Sequence, residues 1–206
     1  MLFVFLSLFL LFIISAYIYG SKQTSSSIQK MGHDSTEKNT NNTDDVGRTQ
    51  LHIAAEEDNI EVAKLLIINN ANIEAKDEDD WTPLHEASYN NSLETAQLLI
   101  DNGANIEVKN DCGNTPLYNA AHRCNNEVAK LLIDNRADID ARNKDDWTPL
   151  HVAAINNNYK MVKLLIESGA NTNTLNSEGE KPLDLTSDVS IEQLLQGAVN
   201  NAKTSK

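Results

Sequence analysis

Apolar positions follow two different patterns along the chain. Residues 2–19 form one apolar run without a charged side chain, and residues 21–43 are rich in Ser, Thr, Asn and Lys. Further on, apolar residues recur at the i, i+3 and i+4 spacing of amphipathic helices, as in residues 61–67. This pattern predicts a hydrophobic N-terminal anchor or signal segment over residues 1–20. It also predicts a disordered polar spacer over residues 21–43, followed by a helical domain.

The helical part repeats itself at a constant step. The strings TQLH, TPLH, TPLY and TPLH begin at Thr49, Thr82, Thr115 and Thr148, and a degenerate KPLD begins at Lys181. Pairs of leucines keep the same step. The period predicts a domain over residues 44–200, whose repeats are about 44–76, 77–109, 110–142 and 143–175, with a degenerate capping repeat at 176–200 and a flexible tail at 201–206.

Each unit is predicted to be a pair of helices. Thr before Pro favours a helix start, because the hydroxyl caps free N–H groups and Pro fits the first turn. A polar turn and a second amphipathic helix follow, and Gly103 and Gly169 are placed to end two of these helices in the left-handed conformation. One such unit cannot bury its apolar face alone, so neighbouring units must stack into a solenoid.

The 33-residue period and the TPLH strings resemble the ankyrin-repeat family over residues 44–200. The resemblance implies an all-α solenoid of helix-turn-helix units with β-hairpin loops. Asp80 and Asp146 replace a family glycine, and Asp tolerates the left-handed turn. The fifth copy has lost three residues, which predicts a cap with a shortened second helix. Within the family, the chain resembles the small ankyrin-repeat proteins of host-associated bacteria, some of which act on host proteins.

The resemblance also implies a partner-binding surface. The family binds proteins through its hairpin tips and the inner face of its first helices. In this chain that register marks Arg48, Glu78, Asp79, Trp81, Tyr89, Asn114, His122, Arg123, Lys144, Asp145, Trp147 and Ile155. It further marks Asp45, Glu56, Glu57, Asn90, Asp111 and Asn156. Two interpretations of Trp81 and Trp147 stay open: contact with a partner, or packing over the hairpins.

The excess of acidic residues argues against one class of partner, nucleic acid. The formal net charge is −13, from 17 basic and 30 acidic residues. Nucleic-acid binding requires many Lys and Arg contacts to phosphates, so nucleic acid is not expected as a partner. We expect a monomer that binds another protein.

No motif predicts catalysis, a cofactor or a metal site. The chain has no glycine-rich phosphate loop, no G-x-S-x-G and no zinc-ligand spacing. His52, His85 and His151 repeat one position, where the resemblance implies packing beside the capping Thr. Free thiols are expected at Cys112 and Cys124. The chain is therefore expected to be a non-catalytic interaction module; the alternatives are a structural spacer without a dedicated partner and a non-catalytic subunit of an enzyme complex.

The N-terminal run has two interpretations. Its 18 uncharged residues would span about 27 Å as a helix, close to the hydrocarbon thickness of a bilayer. The start carries no Lys or Arg, and the site after Gly20 is a weak cleavage site. These features slightly favour a single-pass membrane anchor through residues 2–19. Cleavage of a signal peptide, followed by secretion, is the alternative.

Overall fold

The computed structural model of the protein describes residues 40–204, and within them it contains ten helices. The predicted segment 1–20 and most of the predicted spacer lie outside the described residues. Four helix pairs correspond to the four predicted repeats, and a fifth pair forms the cap. In chain order the helices are α1 Gln50–Glu56, α2 Ile60–Ile68, α3 Pro83–Asn90, α4 Leu93–Asp101, α5 Pro116–His122, α6 Asn126–Asp134, α7 Pro149–Ile155, α8 Tyr159–Glu167, α9 Pro182–Leu185 and α10 Val189–Thr204.

The helices of residues 40–204 form two layers. The first helices of the repeats, α1, α3, α5, α7 and α9, pack side by side in one layer, and the second helices pack in the other. The core lies between the layers. In each of the four full repeats it contains one buried leucine from the first helix and one from the second: Leu51 and Leu66, Leu84 and Leu99, Leu117 and Leu132, Leu150 and Leu165. Buried alanines let the helices approach closely. This arrangement confirms the predicted ankyrin solenoid.

The loops between repeats are hairpin turns that join into a ladder. Each turn is closed by two backbone bonds, such as those from the N–H of Asp77 to the carbonyl of Trp81 at 3.0 Å and from the N–H of Asp80 to the carbonyl of Asp77 at 3.1 Å. Each turn also donates to the preceding one, as Asp111 N–H does to the carbonyl of Asp79 at 3.0 Å. In the described part of the chain these loops contain no named strand, only an isolated antiparallel bridge between Thr43 and Thr49.

The two aspartates that replace glycine adopt the expected left-handed conformation. Asp80 has φ 61° and Asp146 has φ 59°, beside φ 81° at the equivalent Gly47. Arg136 has φ 70° at the end of α6, where the equivalent Gly103 has φ 89°. The hairpins and helix ends therefore keep one backbone path although their side chains differ.

The repeat domain begins earlier than the sequence predicts. The side-chain oxygen of Asn41 accepts a bond of 2.8 Å from the N–H of Asn72. Glu74 accepts the equivalent bond from Asn105 one period later, at 2.7 Å. Asn41 thus occupies the repeat register one period before Glu74. Residues 40–43, predicted as the end of the spacer, belong to the repeat domain because the first repeat holds them.

The predicted shortening of the second helix in the cap is wrong. The first helix, α9, has only 4 residues, whereas α10 has 16. The chain leaves α9 early because the side-chain oxygen of Asn157 accepts bonds from Thr186 Oγ1 at 2.8 Å and Ser187 N–H at 3.1 Å. Asp188 then accepts N–H bonds at the start of α10.

The last helix also extends beyond the predicted boundary of the domain. The sequence predicts a flexible tail from residue 201, but α10 continues to Thr204. Ala202 and Lys203 both have high helix propensity, which favours continuation of the helix.

None of the helices within residues 40–204 has the length and apolar character that a membrane crossing requires.

Candidate functional site

A buried Thr–His pair opens the first helix in three repeats. The backbone N–H of Thr49 donates to Nδ1 of His52 at 3.0 Å, and the Thr82–His85 and Thr148–His151 pairs repeat this bond at 3.1 Å. A backbone N–H can only donate, so Nδ1 is the acceptor and the ring proton lies on Nε2. The three histidines pack beside the capping threonines, as predicted.

The other nitrogen of each histidine ties its repeat to the next one. Nε2 of His52 donates to the carbonyl of Trp81 at 3.0 Å, and Nε2 of His85 donates to the carbonyl of Asn114 at 3.0 Å. His151 makes the same bond to Glu180 at 3.2 Å. Each bond therefore reaches almost one full period along the chain and holds the hairpin of the following repeat.

Burial keeps these histidines neutral. It lowers the pKa of His52 and His151, and it lowers the pKa of His85 to about 4. The neutral ring is the form that accepts at Nδ1 and donates at Nε2, so the electrostatics agree with the hydrogen bonds.

The hairpins and first helices of the first two repeats border a shallow cavity of about 360 Å³ that is open to solvent. We call it the acidic cavity. Its lining is formed by Arg48, Glu56, Asp77, Asp79, Trp81, Glu86, Tyr89 and Asn90. Four carboxylates thus face one guanidinium.

The charges of the acidic cavity are only partly paired. Arg48 binds Glu56 at 3.0 Å and also Asp44 at 3.0 Å, outside the cavity. Among the described residues, no ion pair includes Asp77, Asp79 or Glu86. Burial, followed by repulsion from Glu56, raises the pKa of Glu86 to about 7. The cavity therefore carries excess negative charge that the chain itself does not neutralise.

An aromatic cluster lies at the acidic cavity and continues into the third repeat. The rings of Trp81 and Tyr89 meet edge to face with centroids 5.3 Å apart. Tyr89 stacks on His122 with centroids 6.3 Å apart, and the Arg123 guanidinium lies 4.6 Å from the centre of the Tyr89 ring. These contacts join the inner faces of α3 and α5.

A second cavity, of about 470 Å³, occupies the third and fourth repeats. We call it the apolar cavity because Val152 and Ile155 stand where the acidic cavity has Glu86 and Tyr89, although polar side chains form more than half of its lining. It is lined by Tyr118, His122, Asn143, Asp145, Trp147, Val152, Ile155 and Asn156. Ile155 is 44% exposed there, although it is a large hydrophobic residue. Asp145 is the single carboxylate in this lining.

The structure places eight of the twelve predicted binding residues in the two cavities. Arg48, Asp79, Trp81 and Tyr89 line the acidic cavity, and His122, Asp145, Trp147 and Ile155 line the apolar one. The other four lie beside them. Glu78 and Lys144 join neighbouring hairpins through their backbone N–H groups, Asn114 accepts from His85, and Arg123 covers Tyr89.

Five residues that line the cavities are not predicted from the sequence: Asp77, Glu86, Tyr118, Asn143 and Val152. Asp77 and Asn143 open their hairpins, where each side-chain oxygen accepts two backbone N–H bonds. An Asp or Asn at this position in every repeat was the available signal. Glu86 and Val152 lie three residues before Tyr89 and Ile155, on the same helix face.

The polar side chains of the domain show no arrangement that would hold a metal. Within residues 40–204 no three His, Cys, Asp or Glu side chains converge on a common point that could hold an ion. Cys112 and Cys124 are exposed free thiols.

Comparison with known proteins identifies the family. The family model described as ankyrin repeats (3 copies) matches residues 16–110 and 102–176. The match begins before residue 40 and so includes the contact residues 40–43. No curated protein matches the chain.

Replacing His85 with Gln should weaken the dependence of stability on pH. Below pH 6.5 the unfolded chain protonates this histidine, whereas the folded protein resists protonation until about pH 4. The wild type therefore loses about 3 kcal/mol of stability from this group as the pH falls through that range. Gln can replace both hydrogen bonds without titrating. Urea unfolding between pH 7 and pH 4 should give a flatter profile for the variant.

The Glu86→Gln variant is the control, because it should change the pH dependence of stability in the opposite direction. The raised pKa of Glu86 means that folding becomes more favourable as the pH falls from about 7 towards 4.5. Removing that carboxyl should steepen the acid loss of stability. Equal pH profiles for the wild type and His85→Gln would contradict the assignment of a buried neutral histidine.

Proposed function

Because the chain belongs to the ankyrin-repeat family, whose members are protein–protein interaction modules, we propose that it binds another protein through its inner surface. This surface consists of the acidic cavity, the apolar cavity and the aromatic contacts between them. The observation that carries the proposal is the placement of Trp81 and Trp147 in two cavities on the same face.

The surface has the physical properties of a binding site. Trp and Tyr contribute strongly to interface energy when a partner covers them, and both tryptophans are only half-buried here. The hairpins that carry them are held by backbone bonds to neighbouring hairpins. A surface that is already rigid loses little conformational entropy on binding, which favours affinity.

The same proposal includes a non-catalytic role and a monomeric state. The three histidines of the repeated Thr–His pairs are engaged in buried bonds within the repeats, which leaves their rings unavailable for proton transfer at the surface. The inner surface offers aromatic rings, carboxylates and aliphatic side chains, a set suited to recognition.

Changing Trp81 and Trp147 to Ala should abolish capture of peptides that the wild type selects. The full chain in detergent micelles would select from a phage library of random twelve-residue peptides. Selected peptides should bind the double variant at least about tenfold more weakly, because buried aromatic anchors each contribute about 2 kcal/mol or more.

The matched control removes two exposed hydrophobic side chains from the second helices, Ile68 and Tyr159, which are 76% and 44% exposed. This control should leave peptide binding unchanged. Since Trp147 packs against the core, a second variant, Asp79→Lys with Asp145→Lys, tests the same surface through exposed side chains. Peptide binding that survives both inner-surface variants would contradict the proposal.

We further propose that residues 2–19 attach the mature protein to a membrane. The support is the sequence alone: 18 uncharged residues, no basic start and a weak cleavage site after Gly20. Membrane fractionation with mass spectrometry of the N-terminus should find the intact segment in the membrane fraction. A soluble mature chain beginning near Ser21 would instead identify a signal peptide and a secreted protein.

A further inference from the structure

The two cavities occupy the same position of the fold, two repeats apart. Seven lining residues of the acidic cavity have a counterpart two periods later in the apolar cavity. The Asp and the Trp are shared, at Asp79 and Asp145 and at Trp81 and Trp147. The Asn is also shared, at Asn90 and Asn156. The other four pairs differ in chemistry: Glu56 and His122, Asp77 and Asn143, Glu86 and Val152, and Tyr89 and Ile155.

The acidic cavity is suited to a cationic side chain. Asp77, Asp79 and Glu86 have no cationic partner within the described part of the chain, and burial makes the carboxylate of Glu86 costly. An entering positive charge would relieve that cost.

A guanidinium fits this cavity better than an ammonium. Guanidinium is planar, binds carboxylates with several N–H donors and stacks on aromatic rings. The chain itself already places the Arg123 guanidinium 4.6 Å from the centre of Tyr89. The ring of Trp81 offers a second aromatic surface next to carboxylates that form no ion pair within the described part of the chain.

The apolar cavity is suited to an aliphatic side chain. Glu56, Asp77 and Glu86 are replaced in it by His122, Asn143 and Val152, none of which is a carboxylate. Ile155 is 44% exposed and Trp147 is half-buried, so both leave apolar surface uncovered. Burial of one large aliphatic side chain against them would be favourable by the hydrophobic effect.

We infer that the partner presents one extended segment with an arginine for the acidic cavity and a large aliphatic residue for the apolar cavity. The inference rests on the proposed function. Neighbouring helices in a layer lie about 8–10 Å apart, so two repeats separate the cavities by about 16–20 Å. An extended chain rises about 3.3 Å per residue, so the two side chains stand about five or six residues apart. The stacked rings of Tyr89 and His122 form the surface between the cavities.

The two tryptophans make this inference directly measurable. The chain contains only two, and each lines one cavity, so two indole N–H signals report the two sites separately. The probe is an acetylated peptide of Gly and Ser that carries one arginine and one leucine six positions apart. Both sequence orders would be titrated into the ¹⁵N-labelled full chain in micelles.

Three changes to the peptide separate the contributions of the arginine, the leucine and the spacing between them. Citrulline in place of arginine keeps the shape but removes the charge, and it should abolish the shift of the Trp81 signal only. Alanine in place of leucine should abolish the shift of the Trp147 signal only. Moving the two residues to adjacent positions should weaken binding about tenfold, because one cavity is then left empty.

Matched variants of the protein test the same contacts. Asp79→Asn with Glu86→Gln should weaken binding about tenfold. Glu61→Gln with Glu94→Gln also removes two carboxyl groups, from the second helices, and should leave peptide binding unchanged. Ile155→Ser should abolish the response to leucine, whereas Ile68→Ser, at an exposed position of α2, should not.

Equal responses to arginine and citrulline, or no dependence on the spacing, would overturn this inference. If the library still yields peptides that require Trp81 and Trp147, the proposed function stands and only the arginine–aliphatic pattern fails. If the library yields no such peptides, the proposed function fails as well.

Discussion

The buried hydrogen bond from a histidine to the next hairpin is the interaction on which the surface depends. Nδ1 of His52 accepts from the start of its own helix, and Nε2 donates to the carbonyl of Trp81. One neutral ring therefore caps a helix and fixes the backbone of a residue that lines the acidic cavity. Acceptance at Nδ1 requires a neutral ring, and the burial that lowers the pKa of His52 in turn requires the neighbouring repeat. Local capping, stacking of repeats and the shape of the inner surface are thus one linked system.

Side chains that take no part in the histidine hydrogen bonds differ between repeats, and they determine the chemistry of the inner surface in each repeat. The backbone of the hairpins is nearly the same at Gly47, Asp80 and Asp146, whatever the side chain. Side chains at the inner surface differ between repeats although some of them, such as Val152 and Trp147, also pack in or against the core. The equivalent positions Glu86 and Val152 show the result, with a carboxyl in one cavity and an aliphatic group in the other.

The sequence predicts the features that arise within one repeat. The capping threonines, the histidine position and the left-handed turns at Asp80 and Asp146 follow from residues a few positions apart, and the structure confirms them. The cavities combine residues from two repeats, so the place of Glu86 in a cavity lining could not be assigned from its own repeat alone. The early end of α9 likewise depends on Asn157, which lies almost one period before the turn that it holds.

The third repeat shows what happens where the histidine is missing. Tyr118 stands at this position and lines the apolar cavity, and the carbonyl of Trp147 receives no histidine bond within the described part of the chain. The hairpin of residues 143–147 is held by its own turn and by bonds to both neighbouring hairpins: Lys144 N–H donates to the carbonyl of Cys112, Asn143 Nδ2 donates to Asn114 Oδ1, and the carbonyl of Asp145 accepts from Ser177 N–H. What it lacks, among the described residues, is the additional bond from a histidine to its last carbonyl. It is therefore expected to open more easily than the hairpins that follow a histidine.

Hydrogen exchange of a Tyr118→His variant tests this account most directly. The new ring should accept from the N–H of Thr115 and donate to the carbonyl of Trp147. One added hydrogen bond of about 1 kcal/mol should slow exchange at the amides of Asn143 and Trp147 about fivefold, with little change at Asp77 and Trp81. Unchanged or faster exchange at Asn143 and Trp147, in a variant that folds normally, would contradict the claim that the histidine bond holds the hairpins of the inner surface.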